Sequence, residues 1–411
     1  MRKFLLQALV TLLIVSVKPV FSNLAYVTNG SGNNISVIDT NTNTVITTIS
    51  GFSVPVLIAI TPDGKFAYVV NFSPGSVSVM DTSTNAVTAT IPVGTVPSGI
   101  AITSDETLVY VVNKSSNNVS VIDTNTNTVI TTISGFSSPQ GIAITPAGSL
   151  AYVANTSSNK VAVINTSSQT IATMITVGTN PQGVAITPNG NLAYVPNLSS
   201  HSISVINTTT QTISATISLS PIIFPTSVSI TPDGNFAYIT TGIGDNKVLV
   251  VDTASNTLNA TIVVGTSPAQ VAFTPYGCFA YVTNGGSNNV SVIDTSTFTV
   301  FDTIGVGSAP DGIAITPNPV PPIGLRGHQE KNDFAVVYEL FNELKWAANP
   351  ALGPPVAGYF IYRNGIKIAT VSAATFEYVD HNIKKAATTI YSVTAFDTHG
   401  GQSALSSIEI K

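Results

Sequence analysis

The chain has 411 residues, 44% of them apolar and 9% charged, with 15 basic and 20 acidic side chains and a formal net charge of −5. That length and apolar content suffice for a sizeable core, and a single cysteine, Cys278, excludes an internal disulfide framework. Residues 23–318 hold four lysines, no arginine and twelve carboxylates, a net charge of −8; a surface lacking the bidentate guanidinium fork argues against nucleic acid and phosphorylated anions as partners.

The N-terminus reads as a cleavable export signal over residues 1–22. Arg2 and Lys3 precede an apolar run over 4–17, and Val20-Phe21-Ser22 offers a small-residue cleavage site. The run is shorter than the roughly 20 residues a membrane span requires, and Lys18 interrupts it. No second membrane-length segment follows, so the expected location is the periplasm, the cell surface or the medium.

Seven tyrosines then recur at a nearly constant interval: Tyr26, Tyr68, Tyr110, Tyr152, Tyr194, Tyr238 and Tyr281, spaced 42, 42, 42, 42, 44 and 43 residues apart. A period of about 40 to 45 residues with about four strand-like runs per unit predicts an all-β fold, a β-propeller with one unit per blade. In the third complete unit the strands are read at 141–145, 150–154, 161–164 and 170–175, on period-2 alternation. Thr-Pro-Asp-Gly turns at 61–64 and 231–234 supply a fixed φ and a glycine. Asn33-Asn34, Asn117-Asn118 and Asn288-Asn289 suit tight hairpins.

Counting from the Gly-Ile-Ala-Ile type of strand gives six complete blades, starting at Leu57, Gly99, Gly141, Gly183, Ser227 and Gln270. A seventh such strand, over 312–316, stands alone, while 24–49 supplies three strands with none before them. The two fragments are expected to complete a seventh blade, closing the ring and removing its exposed edges.

Tyr26-Val27-Thr28-Asn29 and Tyr281-Val282-Thr283-Asn284, with the Val-Ser-Val-Ile-Asp-Thr strand and the Ile-Thr-Pro-Asp-Gly turn, resemble the YVTN β-propeller repeat family over all seven units, residues 24–317. The resemblance implies a seven-bladed propeller and an extracytoplasmic role, because members of that family occur as surface-layer and other cell-envelope proteins, generally without a defined catalytic activity. Departures are mild: Ser104 replaces the turn proline, Asn165 and Asn207 replace the strand-end aspartate, and the connection over 219–226 is lengthened.

The expected domains are a signal over 1–22, a propeller over 23–317, a proline-rich linker over 318–322 and a second domain over 323–411. In the last, Leu344-Lys345-Trp346, the run 358–365 and the run 391–397 read as strands and resemble a fibronectin type III domain. The resemblance implies a seven-strand sandwich with Trp346 in its core and an Asn364-Gly365 hairpin. The stretch 332–344 departs from the usual early strands, and Thr389 stands where the corner-fixing tyrosine is expected.

Candidate chemistry is sparse. Asp39, Asp81, Asp123, Asp252 and Asp294 occupy one turn in different repeats, which favours a turn-stabilising hydrogen bond over a metal ring. The residue after each inner-strand proline, namely Val56, Ser98, Gln140, Gln182, Thr226, Ala269 and Asp311, is expected to line one mouth of the channel. The expected binding set is Ser98, Gln140, Gln182, Thr226 and Asp311. Some seven-bladed propellers are metal-dependent lactonases, which need several converging carboxylates or histidines. Here only Asp311 is charged, with Asp105 or Glu106 as further acidic candidates. His201, His328, His381 and His399 read as solvated loop residues, Cys278 as a small buried one, and Asn113, Asn118, Asn155, Asn207 and Asn289 as glycosylation acceptors where the machinery exists. The sequence therefore points to a non-enzymatic exported scaffold that binds a protein or glycan and needs no cofactor or metal. The alternatives are an exported hydrolase or lyase of lactonase type and a periplasmic assembly factor.

Overall fold

The computed structural model describes residues 23–410 except 220–222, 243, 319–322, 335–336, 350–355, 382–387 and 398–400. The expected signal and all but the first residue of the expected linker lie outside the described residues. Among those described, the one helical element is a 3-10 turn, Thr156–Ser158, and no helix is long and apolar enough to cross a membrane.

Seven four-stranded antiparallel sheets follow one another from 24 to 315. One sheet runs, from inside outward, Pro139–Ile144, Leu150–Asn155, Lys160–Asn165 and Thr170–Thr176. The two middle strands are buried on both faces: Ala151, Tyr152, Val153 and Ala154 are inaccessible, as are Val161 to Ile164. They therefore do not alternate as expected and read as continuous apolar runs; alternation is confined to the outer strand, which meets solvent. Each hydrophobic cluster lies between two successive sheets. Tyr110, Val112, Val119 and Val121 of one sheet, for example, pack with Ala151, Val153, Ala162 and Ile164 of the next.

The inner strands begin two residues earlier than the sequence predicts, at Pro55, Pro97, Pro139, Pro225, Pro268 and Pro310. Proline has no N–H to give a ladder and is tolerated at a strand start. Pro139 pairs with Asn155, after which the register shifts before Ile142, and that irregularity hides the start from a period-2 reading. The fifth sheet keeps only Ala185–Ile186 as its inner strand, with an isolated Pro181–Asn197 bridge.

The separated C-terminal strand Pro310–Ile315 pairs antiparallel with Leu24–Asn29, placing Ala25 opposite Ile315, Tyr26 opposite Ala314 and Val27 opposite Ile313. Asn23 Nδ2 donates to the Thr316 carbonyl at 3.0 Å, and the Leu24 amide donates to Thr316 Oγ1 at 3.0 Å. Ile313 is buried and Ile315 half-buried in the cluster that joins this sheet to the one before it.

The repeated tyrosines are staples between sheets. Tyr26 Oη reaches the Thr82 carbonyl and Asn85 Oδ1 in the outer turn of the next sheet, and Tyr281 Oη reaches the Thr40 carbonyl and Asn43 Oδ1 across the closure. Burial raises the Tyr26 phenol to about 12, with a contribution from Asp81. Tyr238 is the exception: Phe298 stands where the other turns carry Asn or Gln, and the buried Tyr238 hydroxyl has no partner among the described residues.

Residues 323–410 form two further sheets. Ile323–Phe334, Val337–Ala347 and Glu377–Asp380 make one, in that order; Ile366–Ser372, Val356–Arg363, Thr389–Asp397 and Ser406–Ile410 make the other. Leu344, Trp346, Tyr359, Ile361, Tyr391 and Val393 share one core, with Trp346 edge-on to Tyr359 at 5.6 Å. The stretch that departs from the usual early strands falls in the antiparallel pair Ile323–Phe334 and Val337–Ala347. The hydroxyl of Tyr391, two residues beyond Thr389, donates to Asp380 Oδ2 at 2.6 Å at the end of Glu377–Asp380. Asn364 and Gly365 both take positive φ, as their hairpin requires.

Candidate functional site

Because every inner strand runs the same way, the residues after the inner-strand prolines come together at one end. Val56, Ser98, Gln140, Gln182, Thr226, Ala269 and Asp311 all line a single cavity of about 930 Å³. Inner strands approach closely there: the Gly141 amide donates to the Gln182 carbonyl at 3.0 Å, and Thr283 Oγ1 donates to the Asp311 carbonyl at 2.6 Å.

A second ring, missed in the sequence, surrounds the first. It is the residue following each Tyr-x-x-Asn, or Tyr-x-x-Thr at Tyr238: Gly30, Phe72, Lys114, Thr156, Leu198, Gly242 and Gly285. In each repeat its backbone amide donates to a loop carbonyl, for instance Phe72 to Val54 at 2.9 Å, Lys114 to Val96 at 2.9 Å and Leu198 to Asn180 at 3.0 Å. The backbone is thus constant while the side chain varies, and variation at a geometrically fixed position is the signal that would have found this ring. Phe72, Lys114, Leu198 and Gly242 line the cavity. The accepting residues Val54 and Val96 hold φ of 50° and 54°, a left-handed conformation that β-branched residues rarely adopt. Such strain is retained where surrounding bonds over-determine it.

Polar side chains of the two rings form a chain across neighbouring sheets. Lys114 Nζ donates to Gln140 Oε1 at 3.0 Å, Gln140 Nε2 donates to Gln182 Oε1 at 2.8 Å, and Gln182 Nε2 donates to Asn180 Oδ1 at 2.5 Å. Ser98 and Thr226 are turned to neighbouring backbone: Ser98 Oγ donates to the Pro139 carbonyl, and Thr226 Oγ1 to the Thr240 carbonyl. Phe72 and Phe224 stand at the rim, 41% and 43% exposed. His201 is not a solvated loop residue. Its Nδ1 bonds the Ile223 carbonyl at 3.0 Å, and its ring meets Phe224 edge-on at 4.8 Å, so it positions the rim aromatic.

Asp311 is half-buried and open to the cavity, and its carboxylate makes no hydrogen bond or ion pair among the described residues. Burial in protein with no compensating partner pushes its carboxyl up to about 6. Asp105 and Glu106 do not join it: they sit in the turn beyond Ile102, at the far end of an inner strand whose near end carries Ser98. There Glu106 accepts from the Asp63 amide, and burial, then Asp63, raises its carboxyl. Burial works to raise Asp63 as well, but bonds from Lys65 and Thr61 hold it below its ordinary value, and Lys65 Nζ lies 2.7 Å from it.

The repeated aspartates hold turns. Asp39 accepts from the Asn41 amide at 2.8 Å, Asp81 from Ser83 at 2.9 Å, Asp123 from Thr126 at 2.8 Å, Asp252 from Ser255 at 2.8 Å and Asp294 from Ser296 at 2.9 Å. Asn165 and Asn207 do the same in their repeats. Among the described residues no group of three or more His, Cys, Asp or Glu side chains is placed to hold a metal ion. Cys278 is half-buried, not buried. His381 packs beside Phe341, while His399 and the side chain of His328 lie outside the description. Asn113 and Asn155 are buried and inaccessible as glycan acceptors; Asn118, Asn207 and Asn289 are half-buried.

The chain leaves the seven-sheet array at the end opposite the cavity, since Pro310–Ile315 starts beside Asp311 and continues into Thr316 to Asn318. Tyr276, in a turn at that same far end, donates through its hydroxyl to the Gln402 carbonyl at 3.0 Å. Among the described residues, the C-terminal sheets therefore meet the far end, and none of their residues lines the cavity.

The profile of a family described as YNCE-like beta-propeller matches residues 66–320. No curated protein matches the chain. Among solved structures, a functionally unknown protein from Desulfotomaculum acetoxidans is 22% identical with a TM-score of 0.63, covering 72% of this chain and 99% of its own. The periplasmic gluconolactonase of Pseudomonas aeruginosa is 19% identical with a TM-score of 0.63, covering 71% and 98%. Hydrazine synthase of Kuenenia stuttgartiensis is 23% identical with a TM-score of 0.58, covering 63% and 88%. At these identities the likeness is one of fold alone.

Proposed function

The chain belongs to the YNCE-like β-propeller family, and from that premise we propose that it is an exported binding protein whose propeller mouth holds a glycan. The observation that carries this is the amide chain from Lys114 through Gln140 and Gln182 to Asn180, fixed between exposed Phe72 and Phe224 around one cavity. Side-chain amides supply donor and acceptor together, which matches sugar hydroxyls, and aromatic faces cover the apolar faces of sugar rings. A protein partner would dock over the same mouth.

In this reading the seven sheets are seven blades of one closed ring, of the YVTN, surface-layer-like kind. The C-terminal sheets, ordered with three and four strands, are a fibronectin type III sandwich with Trp346 at its core and Tyr391 at its corner. The sandwich serves as a stalk on the far side, so that the mouth faces outward. The short apolar run over 4–17 supports export, and a periplasmic protein is among those of similar fold.

Calorimetric titration with neutral oligosaccharides tests the proposal. Binding in the micromolar to millimolar range is expected, lost in the Gln140→Ala/Gln182→Ala double variant; binding that survives the double variant would overturn the placement at the mouth. A second reading, lactone hydrolysis, is favoured by Asp311, whose raised carboxyl suits a general base, and by the fold shared with a gluconolactonase. Turnover of gluconolactone that disappears in Asp311→Asn, with the fold intact, would replace the binding reading.

A further inference from the structure

Within that glycan reading, on which this inference rests, we propose that the Asp311 side of the cavity is a subsite for a protonated amine, so that the preferred ligand is an amino sugar with a free ammonium group. Two charged side chains line the cavity among the described residues, and they are treated differently. Lys114 is anchored on Gln140 and engaged in the amide chain. Asp311 lies on the sheet two places back round the ring, with the inner strand Pro55–Ile60 and its Val56 and Leu57 between them. Its carboxylate accepts nothing from the described residues, although two neighbours fix its backbone: Thr283 Oγ1 holds its carbonyl at 2.6 Å, and the following Gly312 amide donates to Thr28 Oγ1 at 2.8 Å. A carboxylate held by a rigid backbone in a confined cavity, and left without a donor, is the arrangement a cationic ligand group completes.

The glycines on this side leave the room. Gly30, Gly242 and Gly285 occupy second-ring positions that carry Phe72, Lys114 and Leu198 elsewhere. The elements packed around Asp311 present Thr28, Val56, Leu57, Gln270 and Thr283, none of which titrates; Lys114 is the other charged group of the lining, and His201 stands behind Phe224. Affinity for an ammonium ligand should therefore rise as pH increases through about 6, where Asp311 loses its proton, and fall again once the ligand amine loses its own.

The test compares two trisaccharides that differ only at nitrogen, N-acetylated chitotriose and fully de-N-acetylated triglucosamine, titrated into the full chain at pH 5 and pH 6.5. Triglucosamine is expected to bind about tenfold more tightly at pH 6.5. That preference should shrink at pH 5 and be lost in Asp311→Asn, while Asp302→Asn, which removes a charge from an outer strand, keeps it. Equal affinity for the two sugars, or a preference that survives Asp311→Asn, overturns the inference and leaves the glycan reading standing. If neither sugar binds while an oligolysine peptide does, both fall and a protein partner takes their place.

Discussion

The wall and the mouth of the ring are built from the same seven repeats and obey opposite rules. In the wall, Tyr26 and its six counterparts, the paired middle strands and the Asx turns at Asp39 and its equivalents recur with hardly a change, because each must fit an almost identical neighbour. At the mouth the backbone recurs just as faithfully, down to the amide that Phe72, Lys114 and Leu198 each donate, but the side chains vary from glycine to lysine and phenylalanine. Repetition fixes geometry, and chemistry enters where repetition stops. Even within the wall one break shows the rule: Phe298 replaces the usual amide, and the Tyr238 hydroxyl loses its acceptor.

That contrast can be broken most severely at the closure. Truncation before Gly312 removes most of the strand that pairs with Leu24–Asn29 and takes Ile313 out of the cluster it shares with Ala25 and Val27. The expected product is unfolded or aggregated, as size-exclusion chromatography and circular dichroism would reveal; a soluble, folded monomer would show that the ring does not need its seventh inner strand. Gly141→Ala comes next. A Cβ there would lie 2.7 Å from the Gly183 Cα and 2.9 Å from the Gln182 carbonyl, both backbone, so the neighbouring strands must separate. A loss of about 2–3 kcal/mol in urea denaturation is expected.

Asp311→Asn should act in the opposite sense. The folded carboxyl titrates near 6, above its ordinary value of 3.8. The folded state therefore binds more protons than the unfolded one between those limits, and stability falls as pH rises through that window. The asparagine variant removes this slope and is expected to be about 1–2 kcal/mol more stable than the parent at pH 7 and no more stable at pH 3.5. A stabilising change that abolishes ammonium preference would mark Asp311 as a residue held for binding at the expense of stability. The smallest effects belong to the staples. Tyr281→Phe leaves the Thr40 carbonyl and Asn43 without their donor and should cost about 1–2 kcal/mol. Tyr238→Phe removes a hydroxyl that bonds none of the described residues and should be neutral or slightly stabilising.

The repeat, the strand order and the partner of the orphan strand 312–316 were all legible in the sequence, because period and turn residues are local signals. The first residue after each inner-strand proline was also legible, since every inner strand starts the same way. Phe72, Lys114 and Leu198 were not, because a hairpin end looks like any solvated loop until its recurring backbone bond is known. The role of His201 depends on Phe224, 23 positions away, and no spacing rule links them. In the C-terminal region the hydroxyl that reaches Asp380 belongs to Tyr391, two residues beyond Thr389, and no local spacing signal links positions 380 and 391.

Hydrogen exchange read by mass spectrometry, with and without saturating chitotriose, tests most directly whether the varied mouth is the binding site. The account predicts slowed exchange at the second-ring amides of Phe72, Lys114 and Leu198, with no change in the turns at 61–66 and 103–108 on the opposite end. Protection of those turns with the mouth unchanged would contradict it.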